Sequence, residues 1–287
     1  METSIKKHIE YLLCIRIRKI QGLSGGDLSR AYLLETDMER FFCKVNDHAD
    51  AFDMFQAEKS GLDAIAKTHT IATPKVLLCE KLEQGGLLVM EYIEPKRSGS
   101  KDMELLGHQL AALHRFSGAS TFGWKTDNYI GSLPQSNHMH SSWPQFYAHE
   151  RLLPQFKMAY QQQLLSFNEV PTETTLLDMC EKCLPITKPS LLHGDLWSGN
   201  YLIASDNTPY LIDPAVYFGH FEVDLAMTRL FGGFDSSFYL AYSEHFPKVG
   251  GEKARNDLYQ LYYLLVHLNL FGKSYYPQVK SIIGAYF

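Results

Sequence analysis

At 287 residues the chain exceeds one ordinary hydrophobic core, and two packed lobes are expected. Its 45% hydrophobic and 21% charged residues make an ordinary globular balance, which excludes a disordered or fibrous protein. A net charge of −5 offers no general attraction for nucleic acid or anionic lipid, so neither partner is expected and any phosphate-binding site must be local.

The opening METSIKKHIEYLLCIRIRKI interrupts its apolar run with charges and lacks a signal peptide's continuous apolar centre. No stretch approaches the roughly 20 apolar residues that span a bilayer, and a cytoplasmic location is expected. Five scattered cysteines, Cys14, Cys43, Cys79, Cys180 and Cys183, fit reduced thiols better than a disulfide framework. Cys180 and Cys183 have metal-ligand spacing but lack the second pair that a tetrahedral zinc site needs.

Along the chain, QGLSGGDLS (21–29) is a candidate phosphate-covering turn in which Gly25 and Gly26 permit close backbone approach, although it is not GxGxxG and an ordinary hairpin turn is the alternative. AYLLE and FFCKV read as strands around the polar ETDMER, with Phe42 and Lys44 on one face. AFDMFQAEKSGLDAIA has a helical period through Phe52, Phe55, Leu62 and Ile65, and Glu58 falls on that stripe. KVLLCE and LLVMEYI form a hairpin ending at Glu91, Tyr92 and Ile93. EPKRSGSKD then marks the boundary between a first lobe, 1–95, and a second, 96–287.

MELLGHQLAALHRF reads as a buried helix through Leu106, Leu110 and Leu113. The loop-rich FGWKTDNYIGSLPQSN precedes SWPQFYAHERLLPQFKMAYQQQLLSF, which reads as helical with a break at Pro154. LLHGDLWSGNYLIASDNTPYLIDP holds two short strands joined by a polar turn, and NDLYQLYYLLVHLNLF has the length of a long core helix. The expected class is α+β: a small sheet-plus-helix lobe followed by a larger, mainly helical one.

The chemistry concentrates in HGDLWSGN, where Asp195 precedes Asn200 by five residues and Asp213 ends the next apolar strand. Phosphoryl transfer needs alignment and charge neutralisation: one aspartate orients the attacking hydroxyl while an asparagine and a second aspartate hold magnesium against phosphate oxygens. An isolated aspartate is usually a cap or a turn residue. This combination instead has the spacing of the protein-kinase catalytic loop, with His-Gly-Asp for His-Arg-Asp and Asp-Pro for Asp-Phe-Gly. Asp195 is therefore the expected catalytic base, and Asn200 and Asp213 the metal ligands. Lys44 and Glu58 should pair to orient the ammonium toward ATP phosphates, and the peptide groups of Glu91, Tyr92 and Ile93 should receive adenine.

LSGGDLSRAY, the FxxExxGL pattern around Glu58, FGWKTDNYIGSLPQSN, HGDLWSGN and DPAVYFGHFEVDLAMTRLFGGF together resemble the fructosamine (ketosamine, ribulosamine) kinase family, which is grouped with the aminoglycoside and choline kinases. The resemblance covers most of the chain. It implies a two-lobed protein-kinase-like fold, ATP and Mg2+ as cofactors, and transfer to a sugar hydroxyl, the 3-hydroxyl, of a small-molecule or protein-bound ketoamine. Trp197 would wall the acceptor, and Asn128, with Asp127, Gln135 and Asn137, would bring polar groups to it. Glu222 and Asp224 are expected to anchor the segment after the metal aspartate.

Two departures stand out. Phe221 occupies a position where many relatives carry a base, which points toward ribulosamine or erythrulosamine acceptors rather than fructosamine, and no cysteine lies between Gly22 and Arg30. An aminoglycoside- or choline-type kinase and a non-catalytic nucleotide-binding pseudokinase are the alternatives. Asp127 as the single acidic residue of the 120–140 loop disfavours the former, and the joint presence of Lys44, Glu58, Asp195, Asn200 and Asp213 the latter.

Overall fold

The structure, a computed structural model, describes residues 1–23, 29–116, 118–247 and 250–287. The chain divides into two compact units, Met1–Arg97 with Leu202–Asp213, and Ser98–Tyr201 with Pro214–Phe287.

The first unit opens with a helix, α1 (Thr3–Leu13), followed by strands β1 (Lys19–Leu23), β2 (Arg30–Glu35) and β3 (Arg40–Asn46), helix α2 (Ala51–Ala66), and strands β4 (Val76–Lys81) and β5 (Gly86–Glu91). The strands pair antiparallel in the order β1-β2-β3-β5-β4. The two-residue period decides what covers each face. Phe41, Cys43 and Val45 pack with Leu34, Leu87 and Val89 against Ile5 and Ile9 of α1, while Leu88 and Met90, with Phe42, meet Phe55 and Leu62 of α2. The charges that interrupt the N-terminal apolar run are compatible with a helix because Ile5 and Ile9, four residues apart, share its buried side.

Strands β6 (Pro95–Lys96), β10 (Tyr201–Ala204) and β11 (Pro209–Leu211) form a separate sheet, ordered β11-β10-β6. Ile203 pairs with Lys96 and Ala204 with Pro95, and Tyr210 bridges Ala72. These backbone bonds group the 202–213 hairpin with the first unit, although a boundary at residue 95 assigns it by sequence order to the second lobe.

The second unit is mainly helical: α3 (Ser100–Arg115), α4 (Trp143–Phe146), α5 (Leu153–Gln161), α6 (Glu173–Cys183), α7 (Glu222–Leu230), α8 (Ser236–Ser243), α9 (Glu252–Phe271) and α10 (Tyr276–Tyr286), with the strand pairs β7 (Asn128–Ile130)/β8 (Leu133–Gln135) and β9 (Ser190–Leu192)/β12 (Tyr217–Gly219). Its core gathers around α9, where Leu258, Leu261, Tyr262, Leu265 and Leu268 are buried with Trp143, Phe146, Tyr147 and Phe156. Burying each such side chain contributes roughly 1.5–3 kcal/mol.

The expected break at Pro154 takes a different form. α4 runs into a π-helical turn, Tyr147–Leu152, and then into α5, with Pro154 in the first turn of α5, where its missing N–H costs least. The helix also stops at Gln161, short of Phe167, because Gln163 adopts φ +59° and Ser166 begins a capping box with Glu169. No helix among the described residues is long and apolar enough to cross a membrane.

Candidate active site

In the first unit Lys44 lies on the central strand β3, paired with Ala31 on one side and Leu88 on the other. Its Nζ donates to Glu58 Oε1 of α2 at 2.8 Å and to Asp213 Oδ1 at the end of the β10–β11 hairpin. Lys44 and Glu58 are nearly buried, whereas the Asp213 side chain keeps 42% of its surface exposed. Burial works against the Lys44 charge, but the Asp213 and Glu58 carboxylates outweigh it and hold the ammonium above its usual pKa. Burial pushes the Glu58 carboxyl up, against the pull of Lys44 and assisted by Asp213.

Asp213 adopts φ +53°, a left-handed conformation unusual for a residue that precedes proline. Glu91 ends β5 and donates its N–H to Lys75 O, and Tyr92 donates to Arg40 O. Ile93 follows, partly exposed. Gly25 and Gly26 lie outside the described residues.

In the second unit β9 leads into His193-Gly194-Asp195. Gly194 has φ +85°, and a Cβ there would come within 2.1 Å of Ala215 O, so only glycine fits this turn. Asp224 of α7, fully buried, accepts from the N–H groups of His193 (2.8 Å) and Gly194 (2.9 Å) and pairs with His114 Nε2 (3.0 Å). Tyr242 OH lies 2.7 Å from His114 Nδ1. Burial alone would raise the Asp224 pKa, but the His114 hydrogen bond, the His114 and His193 charges and the Gly194 N–H hold it below the usual carboxylate value. Tyr263 OH donates to Gly194 O, and Ala215 N–H to His193 O, so the turn is tied down from both sides.

The +5 spacing closes a ring. Asn200 Nδ2 donates to Asp195 O at 2.8 Å and to Asp195 Oδ2 at 3.2 Å, and Asp195 N–H donates to His193 Nδ1 at 3.2 Å. With its nitrogen committed, Asn200 presents its oxygen as a hard donor. The indole of Trp197, 40% exposed, lies across Gly199, where a Cβ would meet the ring at 2.3 Å. Tyr201 OH donates to Gly233 O, tying the loop to the LFGGF segment.

Asn128 is buried and fully engaged: Nδ2 donates to Val216 O at 2.8 Å, while Oδ1 accepts from Gln135 at 2.8 Å and Asn137 at 2.9 Å. Asp127 accepts from the Asn137 N–H at 2.8 Å. Phe221 stacks within an aromatic group, its ring 4.5 Å from His220 and 4.3 Å from Phe246, and Glu222 makes a two-pronged ion pair with Arg255. Among the described residues no group of three or more His, Cys, Asp or Glu side chains is set to hold a metal ion.

His114 and Tyr263 are members of the loop's support that sequence reasoning missed. Each sits within a helical apolar stripe and carries no local signal to distinguish it from a packed core residue.

The fructosamine kinase family model matches residues 1–287. A chloroplastic protein-ribulosamine 3-kinase of Arabidopsis thaliana is 39% identical over 274 residues, covering 94% of this chain and 83% of that protein. A crystal structure of a fructosamine-3-kinase candidate from Thermobifida fusca superposes with a TM-score of 0.87 at 33% identity, covering 99% of each chain. Aminoglycoside phosphotransferase APH(4)-Ia shares the fold at a TM-score of 0.65 and 17% identity, covering 99% of this chain and 98% of the other.

Proposed function

We propose that this chain, which belongs to the fructosamine kinase family, transfers the γ-phosphoryl group of ATP to the 3-hydroxyl of a ketoamine sugar. The observation that carries the reading is the catalytic loop: a carboxylate, Asp195, fixed from one side by Asn200 and, through its backbone, by His193. A carboxylate so oriented takes the hydroxyl proton as transfer proceeds. The name of the Arabidopsis relative, a 3-kinase of protein-bound ribulosamine, supports both the acceptor class and the position.

Lys44, oriented by Glu58, positions the nucleotide phosphates, and the peptide groups of Glu91, Tyr92 and Ile93 receive adenine. Gly25 and Gly26 cover the phosphates. Asn200 and Asp213 supply one amide oxygen and one carboxylate. That set fits magnesium, which takes one or two protein oxygens and completes its shell with water and phosphate. When bound, the ion neutralises charge on the phosphate oxygens. In functional terms residues 1–95 make the nucleotide-binding lobe and 96–287 the catalytic and acceptor lobe, with the 202–213 hairpin carrying Asp213 to Lys44.

Trp197 offers an exposed ring face to the acceptor. Asn128, whose polar atoms are all engaged within the protein, braces the acceptor loop from behind. With Phe221 in place of a base, ribulosamine and erythrulosamine adducts, free or protein-bound, are preferred to fructosamine. A cytoplasmic setting fits the scattered, reduced cysteines.

The test is a screen of purified protein with MgATP against ketoamines, aminoglycosides, choline and simple sugars, with products identified by mass spectrometry and NMR. Phosphate on an aminoglycoside or choline hydroxyl, without ketoamine turnover, would reject the acceptor while leaving a kinase.

A further inference from the structure

The π-helical turn Tyr147–Leu152 carries a cation that the roles above leave unused. Arg151 is fully buried, and among the described residues no carboxylate lies within ion-pair distance of it. Its guanidinium lies 3.8 Å from the ring centre of Tyr217 and 4.6 Å from that of Phe146. Nη1 donates to Ser136 O at 2.6 Å and Glu150 O at 2.9 Å, Nη2 donates to Asn137 Oδ1 at 2.7 Å, and Nε has no partner among the described residues.

A buried charge satisfied only by neutral acceptors, with three of its five N–H groups engaged, is an expensive way to fill a core. What the planar fork supplies is geometry, because it grips two successive loop residues at once, as a point charge cannot. A π-helical turn is a common device for redirecting such a side chain near a functional site.

The gripped residues belong to a continuous polar network. Asn137 Nδ2 donates to Asn128 Oδ1 and to Thr126 O, and Gln135 Nε2 donates to Asn128 Oδ1 and to Ala215 O. Asn128 Nδ2 reaches Val216 O, and Tyr262 OH donates to Gln135 Oε1. Ala215 N–H donates in turn to His193 O, two residues from Asp195. At the far end the network supports Lys125, Thr126 and Asp127, whose side chains are exposed.

We propose that Arg151 is a positioning residue for the acceptor: it sets the 125–137 loop against the segment that carries the catalytic base, so that the exposed polar groups at 125–127 meet the ketoamine. The inference rests on the kinase reading given above. Arg151 touches neither reacting group, and its effect should fall on one substrate only.

The experiment is steady-state kinetics of Arg151→Met and Arg151→Lys with MgATP and a ribulosamine adduct of a lysine derivative. We expect acceptor KM to rise roughly tenfold in both variants, the loss of about one charge-assisted hydrogen bond, with ATP KM within about twofold of the parent. Low-millimolar guanidinium should restore part of the acceptor kcat/KM of Arg151→Ala. An unchanged acceptor KM, or ATP and acceptor KM rising by the same factor, would overturn the proposal. If the Arg151 variants fail to fold, Asn137→Ala, which removes one of the three acceptors, must show the same split in smaller measure or the proposal falls. A parent enzyme inactive on every ketoamine would overturn this and the acceptor reading together, whereas an active parent with no split in its variants would overturn the role of Arg151 alone.

Discussion

Asn200 donates to both the main-chain oxygen and the carboxylate of Asp195, at 2.8 and 3.2 Å, so the five-residue spacing is a hydrogen-bonded ring and not merely a motif. The ring fixes the orientation of the Asp195 carboxylate. We expect Asp195→Asn to keep most nucleotide affinity while lowering kcat by about 10²–10⁴, the usual contribution of a general base. Rapid-mix turnover together with equilibrium ATP binding checks this, and a variant with near-parental kcat would remove Asp195 from the chemistry.

Lys44 sits between Glu58 and Asp213, and the consequences of removing each differ. Lys44→Met should weaken phosphate positioning and leave Glu58 without its cation. Combined with Glu58→Gln, the loss in kcat/KM should fall well short of the sum of the two single losses, because both act through one pair. Strict additivity would mean that the ion pair does not orient the lysine. Asp213→Ala should abolish productive magnesium-nucleotide binding with little loss of fold, since its side chain is 42% exposed.

Asp224 is a different case, because its carboxylate is ionised, buried and shared among His193, Gly194 and His114. Asp224→Ala leaves two backbone N–H groups buried without their acceptor. A loss of roughly 3–5 kcal/mol is expected, the range for removing one partner of a buried charged cluster, with kcat falling further than stability alone explains. Urea denaturation read beside residual turnover separates the two. A stable and active Asp224→Ala would show that the turn holds without its anchor.

Elements with strong periodicity were legible in the sequence: α2 and α9 fall where their apolar stripes put them, and the 30–46 strand pair where its alternation does. The Lys44–Glu58 pair was also legible, since a charge placed on an apolar stripe is buried at high cost unless an opposite charge meets it there. What escaped were features set by tertiary partners. The π-helical turn has no propensity signature distinct from an α-helix, and Pro154 drew attention to the wrong residue. The grouping of 202–213 depends on pairing with residues more than a hundred positions earlier. His114 resembles any other buried helix residue until Asp224 is placed beside it.

The final prediction concerns acid stability and His220. Its Nδ1 lies 2.8 Å from Tyr259 OH, which also accepts from Trp143 Nε1 at 2.9 Å, so Tyr259 can donate only to an unprotonated ring nitrogen. Burial, reinforced by the Arg255 and His114 charges, lowers the His220 pKa from 6.5 to about 3. Between those values the unfolded chain binds a proton that the folded chain refuses, so stability rises with pH across this window and falls on acidification. The slope approaches about 1.4 kcal/mol per pH unit, and between pH 7 and pH 5 this group alone should remove about 2 kcal/mol. Other groups titrate in the same range, so the informative quantity is the difference between the parent and His220→Phe. The variant should start less stable at pH 7, having lost the Tyr259 hydrogen bond, yet lose about 2 kcal/mol less on going to pH 5. Urea titrations of both proteins at the two pH values provide the measurement, and parallel losses would mean that His220 accepts its proton in the folded state.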